Sequence, residues 1–300
     1  MSSLEIVERI KELAQKKDAV ILAHNYTRPE IQDIADFVGD SLELSRTASR
    51  LSSRVIVFCG VHFMAETAYI LSPDKVVLMP DPLAGCPMAD MITASQLRRL
   101  KEEHPGAKVV CYVNSSAEVK AESDICCTSA NAVDIVKRLD AKEIIFVPDK
   151  YLGTYVSKMT GKRLILWQGY CPIHAMMRAD DIIRMKQEHP RAKVVVHPEC
   201  PPEVTDIADA VRSTSGMLRY VKETDAEEFI IGTESGIIYR MEKENPEKRF
   251  FPVRKDTICI NMKKITLEKV LNSLEKDEYR IIVPDEIRVK ALRSIERMLE

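Results

Sequence analysis

Three cysteines, Cys86, Cys171 and Cys259, recur at offsets of 85 and 88 residues along the chain. Nearly the same offsets relate a second set of reactive side chains. Placing Val20-Ile21-Leu22-Ala23-His24-Asn25-Tyr26 above Val109-Val110-Cys111-Tyr112-Val113-Asn114 and Val194-Val195-Val196-His197-Pro198-Glu199 aligns His24, Tyr112 and His197. It also aligns Tyr26, Asn114 and Glu199, and further on Ser41, Ser129 and Thr214. Thiolates bind metals, imidazole and carboxylate carry protons, and hydroxyls at helix starts hold anions. A triplicated unit can close about a pseudo-threefold axis, which would bring all of these groups into one site.

The cysteines divide by setting. Cys86 lies in Ala84-Gly85-Cys86-Pro87-Met88 and Cys171 in Gly169-Tyr170-Cys171-Pro172-Ile173, where glycine and proline suit exposed turns. Cys259, in Thr257-Ile258-Cys259-Ile260-Asn261, rests on the repeat alone. Cys59 and Cys111 read as small buried hydrophobes; Cys126-Cys127 and Cys200 have no repeat partners. The absence of any CxxC pair removes the signature of zinc ribbons and dithiol redox motifs. Three converging thiolates admit two metals. Zinc needs a fourth ligand, which His174 could supply. A [4Fe–4S] cluster held by three cysteines keeps one iron open as a Lewis acid, and widely separated ligands around a polar pocket fit this better.

Ser41, Ser129 and Thr214 each precede a helical run, where such a residue is commonly an N-cap worth about 1 kcal/mol. Three aligned hydroxyls facing one axis suggest instead three anion sites at helix N-termini. Glu199 is the carboxylate of its aligned trio and the expected proton carrier, with desolvation raising its pKa towards the working range and His197 assisting on the same strand face. The plainer alternative is an ion pair with a cation such as Arg219. His62, His104 and His189 read as surface or helix-end residues.

The elements that must position these groups have an α/β rhythm. Helical segments at Ile6–Lys16, Gln96–Glu103 and Asp181–Glu188 precede the first strand of each unit, and His-Pro closes the latter two. Apolar β-branched runs then predict three strands per unit: 19–23, 55–59 and 75–79; 108–112, 143–147 and 163–167; 193–197, 228–231 and 249–253. The expected fold is three αβα, Rossmann-like domains with parallel sheets around a pseudo-threefold axis. Their expected spans are 1–104, 105–190 and 191–275. The tail 276–300, with a strand at Ile281-Ile282-Val283 and a helix from Glu286, would complete the first domain and close the ring. Ligands in such sheets bind beyond the carboxyl ends of the strands, where the aligned residues fall.

Composition narrows the class. With 45% hydrophobic residues over 300 positions, the chain can bury a large core. A net charge of −2 gives no basic field for nucleic acid. Apolar runs are strand-sized and the N-terminus lacks a signal-peptide layout, so neither membrane nor secretion is expected and a cytoplasmic location is the default.

Six motifs resemble those of quinolinate synthases: Leu83-Ala84-Gly85-Cys86-Pro87-Met88-Ala89-Asp90, Trp167-Gln168-Gly169-Tyr170-Cys171, His197-Pro198-Glu199-Cys200, Ser213-Thr214-Ser215-Gly216-Met217, Gly232-Thr233-Glu234 and Met262-Lys263-Lys264-Ile265-Thr266-Leu267. They run in order along essentially the whole chain. The resemblance implies a [4Fe–4S] enzyme of NAD biosynthesis that condenses iminoaspartate with dihydroxyacetone phosphate to quinolinate, phosphate and water. It implies cluster ligation by Cys86, Cys171 and Cys259 with one open iron, and substrate binding by His24, Ser41, Tyr112, Val113, Asn114, Ser129, His197, Pro198, Glu199 and Thr214. Catalytic roles would fall to Glu199, His197 and Tyr26. An L-aspartate oxidase or dehydrogenase supplying iminoaspartate is the implied partner. Some relatives carry CxxCxxC near the last ligand; Cys259 stands alone, so disulfide regulation there is not expected. Two other readings keep the same residues: a different cluster-dependent hydro-lyase acting on a small hydroxy acid, and a non-enzymatic protein with structural zinc at the axis.

Overall fold

The structure, a computed structural model, describes residues 1–300. It contains three four-stranded parallel sheets of identical topology. The first comprises β1 (Ala19–His24), β2 (Phe37–Gly39), β3 (Val55–Cys59) and β4 (Val76–Leu78), ordered β2-β1-β3-β4. The second comprises β5 (Lys108–Tyr112), β6 (Ile125–Cys127), β7 (Ile144–Val147) and β8 (Leu164–Leu166), ordered β6-β5-β7-β8. The third comprises β9 (Lys193–Val196), β10 (Ala210–Val211), β11 (Glu228–Gly232) and β12 (Arg249–Pro252), ordered β10-β9-β11-β12. The fold is thus the expected triplicated αβα arrangement.

The chemistry of the strands explains their depth. Val55-Ile56-Val57-Phe58-Cys59 is buried at every position, as a strand covered by helices on both faces requires. The helices preceding β1, β5 and β9 run Ser3–Lys17, Ala94–Glu103 and Ala179–Glu188. Ser2 and Thr93 begin the first two with capping boxes. One continuous apolar cluster draws side chains from all three sheets, so the units are packed together rather than strung like beads.

Two expectations need correction. Each sheet has a fourth strand, β2, β6 or β10, too short to show as a β-branched run. Their ends are marked by a triplicate bond: Asp36, Asp124 and Asp209 accept the backbone N–H of Ile21, Val109 and Val194, each at 2.8 Å. Ile281–Val283 is not a strand. Arg280 makes a single antiparallel bridge to Leu78, and Ile281 N–H donates to Val77. Pro284 follows and Ile282 is exposed, which leaves no room for a ladder. The helix Leu267–Lys276 packs on Ser3–Lys17 of the first unit. The last helix, Asp285–Leu299, packs on His62–Leu71 of that unit and, more extensively, on Ala117–Ala121 and β6 of the second. The tail therefore bridges two units. No helix is long and apolar enough to cross a membrane.

Candidate active site

The carboxyl ends of β1, β5 and β9 and the three cysteine loops surround one cavity that opens to solvent, a concave setting of the kind small-molecule sites use. Cys86, Cys171 and Cys259 all line it. So do His24, Tyr26, Ser41, Tyr112, Asn114, Ser129, His197, Glu199 and Thr214. Val113 and Pro198 do not. Val113 lies between two lining residues and sends its side chain into the core, while its N–H donates to Cys127.

Each cysteine leads into a short helical turn: Cys171 directly into Pro172–Ala175, and Cys86 and Cys259 three positions ahead of Ala89–Met91 and Met262–Lys264. Backbone N–H groups of those turns point back at the sulfurs: Met88 and Ala89 at Cys86, His174 at Cys171, Asn261 and Met262 at Cys259. Burial pushes all three thiols up, Cys86 to about 12, and these N–H donors oppose it. A cation or cluster would complete what the donors begin, since ligation deprotonates a thiol outright. The three sulfurs nevertheless do not all lie within 4.8 Å of one another; the trio that does is Cys171, His174 and Glu199. One zinc with Zn–S near 2.3 Å would need the sulfurs within roughly 4.6 Å. The donor set therefore suits a group larger than a single ion. Within the other trio, His174 and Glu199 are in ion-pair contact, and this pair is better read as part of an acid–base network, leaving Cys171 to the cysteine set.

His174 Nδ1 lies 2.7 Å from Glu199 Oε2, and Tyr112 O–H donates to Glu199 Oε1 at 2.5 Å. Thr233 Oγ1 is 2.8 Å from His174 Nε2 and also hydrogen-bonds the Tyr26 hydroxyl. Tyr26, Thr233, His174, Glu199 and Tyr112 thus form one buried chain of polar groups under the cavity. The expected pKa of Glu199 is reversed. Burial alone raises it, but pairing with His174 and His197 and the Tyr112 hydrogen bond hold the carboxyl at about 2. Burial pushes His197 itself down to about 3, which leaves its ring neutral. Arg219 is not involved; it faces Glu43 at 3.7 Å.

The two aligned histidines share a device. The N–H two residues on, from Tyr26 or Glu199, donates to Nδ1 of His24 or His197 at 3.2 and 3.3 Å. Burial keeps His24, like His197, neutral with a pKa of about 3. Each ring therefore carries its hydrogen on Nε2 and is a donor towards the cavity, not a base. His197 Nε2 meets Ser129 Oγ at 3.1 Å.

The hydroxyl trio does not cap helices. In the first and third units the residue before does so: Asp40 accepts from Leu42 and Glu43, and Ser213 from Gly216. In the second, Thr128 accepts from Ala130 in the turn that leads to the helix Ala132–Arg138, whose N-cap is Asn131. Ser41, Ser129 and Thr214 are released to face the cavity. Asn114 adds a buried side-chain oxygen with no partner in the chain, a vacant acceptor within the same wall.

Sequence reasoning left Thr233 and Glu234 without roles and considered His174 only as a zinc ligand. His174 is three residues after Cys171 on its helical turn, a spacing that places both on one face. Glu234, fully buried, accepts the Cys259 N–H at 3.1 Å and pairs with Lys263, whose ammonium also donates to the Tyr26 carbonyl. It thereby ties the third cysteine loop to the loop carrying Tyr26. Cys59, Cys111, Cys126, Cys127 and Cys200 are buried and unpaired, and His104 and His189 end helices.

The family model described as quinolinate synthetase A protein matches residues 8–300. Among curated relatives, quinolinate synthase of Dehalococcoides mccartyi is 58% identical over 294 residues, covering 98% of this chain and 97% of the relative. Quinolinate synthase of Methanosarcina barkeri is 56% identical over 299 residues, covering 100% of this chain and 98% of the relative. That of Thermodesulfovibrio yellowstonii is 56% identical over 294 residues, covering 98% and 97%.

Proposed function

The chain belongs to the quinolinate synthase family, and from that premise we propose that it condenses iminoaspartate with dihydroxyacetone phosphate, with loss of phosphate and water, on a [4Fe–4S] cluster held by Cys86, Cys171 and Cys259. The observation that carries this reading is the convergence of three repeat-equivalent cysteines and three repeat-equivalent hydroxyls on one cavity. A dicarboxylate and a phosphate ester bring three anionic groups, and the cavity offers the hydroxyls of Ser41, Ser129 and Thr214 together with the Nε2–H of His24 as donors. A hydroxy-acid hydro-lyase would have no use for the third anion site. When bound, a cluster with one open iron would supply Lewis acidity towards a substrate hydroxyl or carboxylate.

The chain's own residues do the rest. Glu199, ionised and oriented by His174, is placed to accept a proton at Oε1 or Oε2 from substrate carbon or nitrogen. Tyr112 donates to that carboxylate and can return the proton to a departing oxygen. Tyr26 is held by Thr233 beside the same network. Asn114 Oδ1 accepts from a substrate hydroxyl or N–H group. His197 orients Ser129 and does not act as a base. The cytoplasm, where iminoaspartate would come from an L-aspartate oxidase or dehydrogenase, is the proposed setting. An anaerobic assay tests the proposal: reconstituted protein given both substrates should form quinolinate and release phosphate in equal amounts. Turnover of a hydroxy acid without phosphate release would favour the hydro-lyase.

A further inference from the structure

We propose that Arg240 and Asn25, neither of which lines the cavity, are positioning residues that fix the Thr214 hydroxyl as a hydrogen-bond donor to the anionic ligand. The proposal rests on the reading above that Thr214 meets an anion.

Donor and acceptor roles along this line are forced. Arg240, on the helix Ile237–Glu244, places Nη1 2.9 Å from Asn25 Oδ1 and 2.8 Å from the Val38 carbonyl. A guanidinium donates only, so the Asn25 oxygen must face Arg240 and its NH₂ must face the other way. On that side Asn25 Nδ2 lies 2.9 Å from Thr214 Oγ1. An amide NH₂ donates only, so Thr214 must accept here, and its own hydrogen is left to point elsewhere. Asn25 is fully buried and Thr214 nearly so, so water cannot rearrange these bonds. Asn25 itself cannot swing: its N–H donates to Gly39 and its carbonyl accepts from Gln32. Arg240 is braced in turn by Glu244 at 2.6 Å. Thr214 lines the cavity, and the hydrogen left over is directed there. The first unit, through Asn25, thus sets the polarity of a ligand group in the third. A donor so preset needs no reorientation when a carboxylate or phosphate oxygen arrives.

Asn25→Asp inverts the relay while keeping its shape. A carboxylate at this position still pairs with Arg240, but it can only accept from Thr214, which draws the hydroxyl hydrogen out of the cavity. The test is equilibrium binding of quinolinate to anaerobically reconstituted holoenzyme, with iron content and melting temperature recorded for every variant. Thr214→Val and Asn25→Asp should each weaken quinolinate about tenfold or more, as loss of one charge-assisted hydrogen bond requires. The double variant should bind within about twofold of Thr214→Val, because both changes remove the same donor. Arg240→Met should weaken binding several-fold and Arg240→Lys should restore it; this pair carries the test if Asn25→Asp does not give folded holoenzyme. Normal binding by Asn25→Asp, with weakened binding by Thr214→Val, would overturn the relay and spare the anion site. Normal binding by Thr214→Val would overturn both. A double variant much weaker than Thr214→Val would show that the Asn25→Asp change acts by its charge, and would also overturn the relay.

Discussion

His174 Nδ1 and Glu199 Oε2 stand 2.7 Å apart, with 2% and 4% of their side chains exposed. This pair, bracketed by Thr233 on one side and Tyr112 on the other, makes Glu199 a fixed anion rather than a carboxyl waiting near neutrality. The sequence places a carboxylate at the axis but hides the histidine, because His174 has no counterpart in the other two repeats. Desolvation alone would raise a buried carboxyl; the adjacent imidazoles and the Tyr112 hydrogen bond reverse the sign.

Glu199→Gln keeps the shape and removes the proton acceptor. The variant should retain full iron content and bind quinolinate, and its turnover should fall by about 100-fold or more, in line with loss of a general base. Steady-state assay of cluster-intact protein checks this. Turnover within a few-fold of normal would move proton transfer to Tyr26, Tyr112 or water.

Because Asp40 does the capping, Ser41→Ala should leave stability within about 0.5 kcal/mol of the parent. Ser129→Ala and Thr214→Ala, which strip a partner from buried His197 and Asn25, should instead each cost about 1–3 kcal/mol. Each should weaken substrate binding by roughly 1.5–3 kcal/mol if it donates to an anion. Melting curves and substrate KM, measured together, separate the two effects. For Ser41→Ala, a fall of about 1 kcal/mol in stability with unchanged KM would restore the capping role.

Gly85 and Gly169 precede two of the cysteines, yet they should respond differently to a methyl group. A Cβ on Gly85 would meet nothing within 4 Å, whereas one on Gly169 would lie 2.5 Å from the backbone oxygen of Pro148. Gly169→Ala must push the Cys171 loop away from Asp149, which accepts the Cys171 N–H. It should cost about 1–3 kcal/mol and lower the iron bound after reconstitution, while Gly85→Ala should do neither. Equal melting temperatures and equal iron in the two variants would contradict this.

The triplication was legible because reactive residues recur at fixed offsets, and the strands because Val20-Ile21-Leu22 and its counterparts form dense β-branched runs. The edge strands were not legible from hydrophobicity, since β10 is only Ala210–Val211. Their signal is polar: Asp36, Asp124 and Asp209 precede Ser41, Ser129 and Thr214 by the same interval in each unit. Nor did spacing distinguish an N-cap from the first helical residue, because Asp40-Ser41 and Ser213-Thr214 each offer two good caps in succession. The capping role of the first of each pair appears only once the backbone angles are fixed.

Everything proposed for the cavity depends on Cys86, Cys171 and Cys259 holding one iron–sulfur cluster at the axis. Iron and acid-labile sulfide per chain, measured after anaerobic reconstitution, decide the matter. The parent protein and Cys59→Ser should each hold about four of both, while Cys86→Ser, Cys171→Ser and Cys259→Ser should each lose most of them. Zinc without sulfide in the parent, or a full complement of iron and sulfide in Cys171→Ser, would refute the assignment.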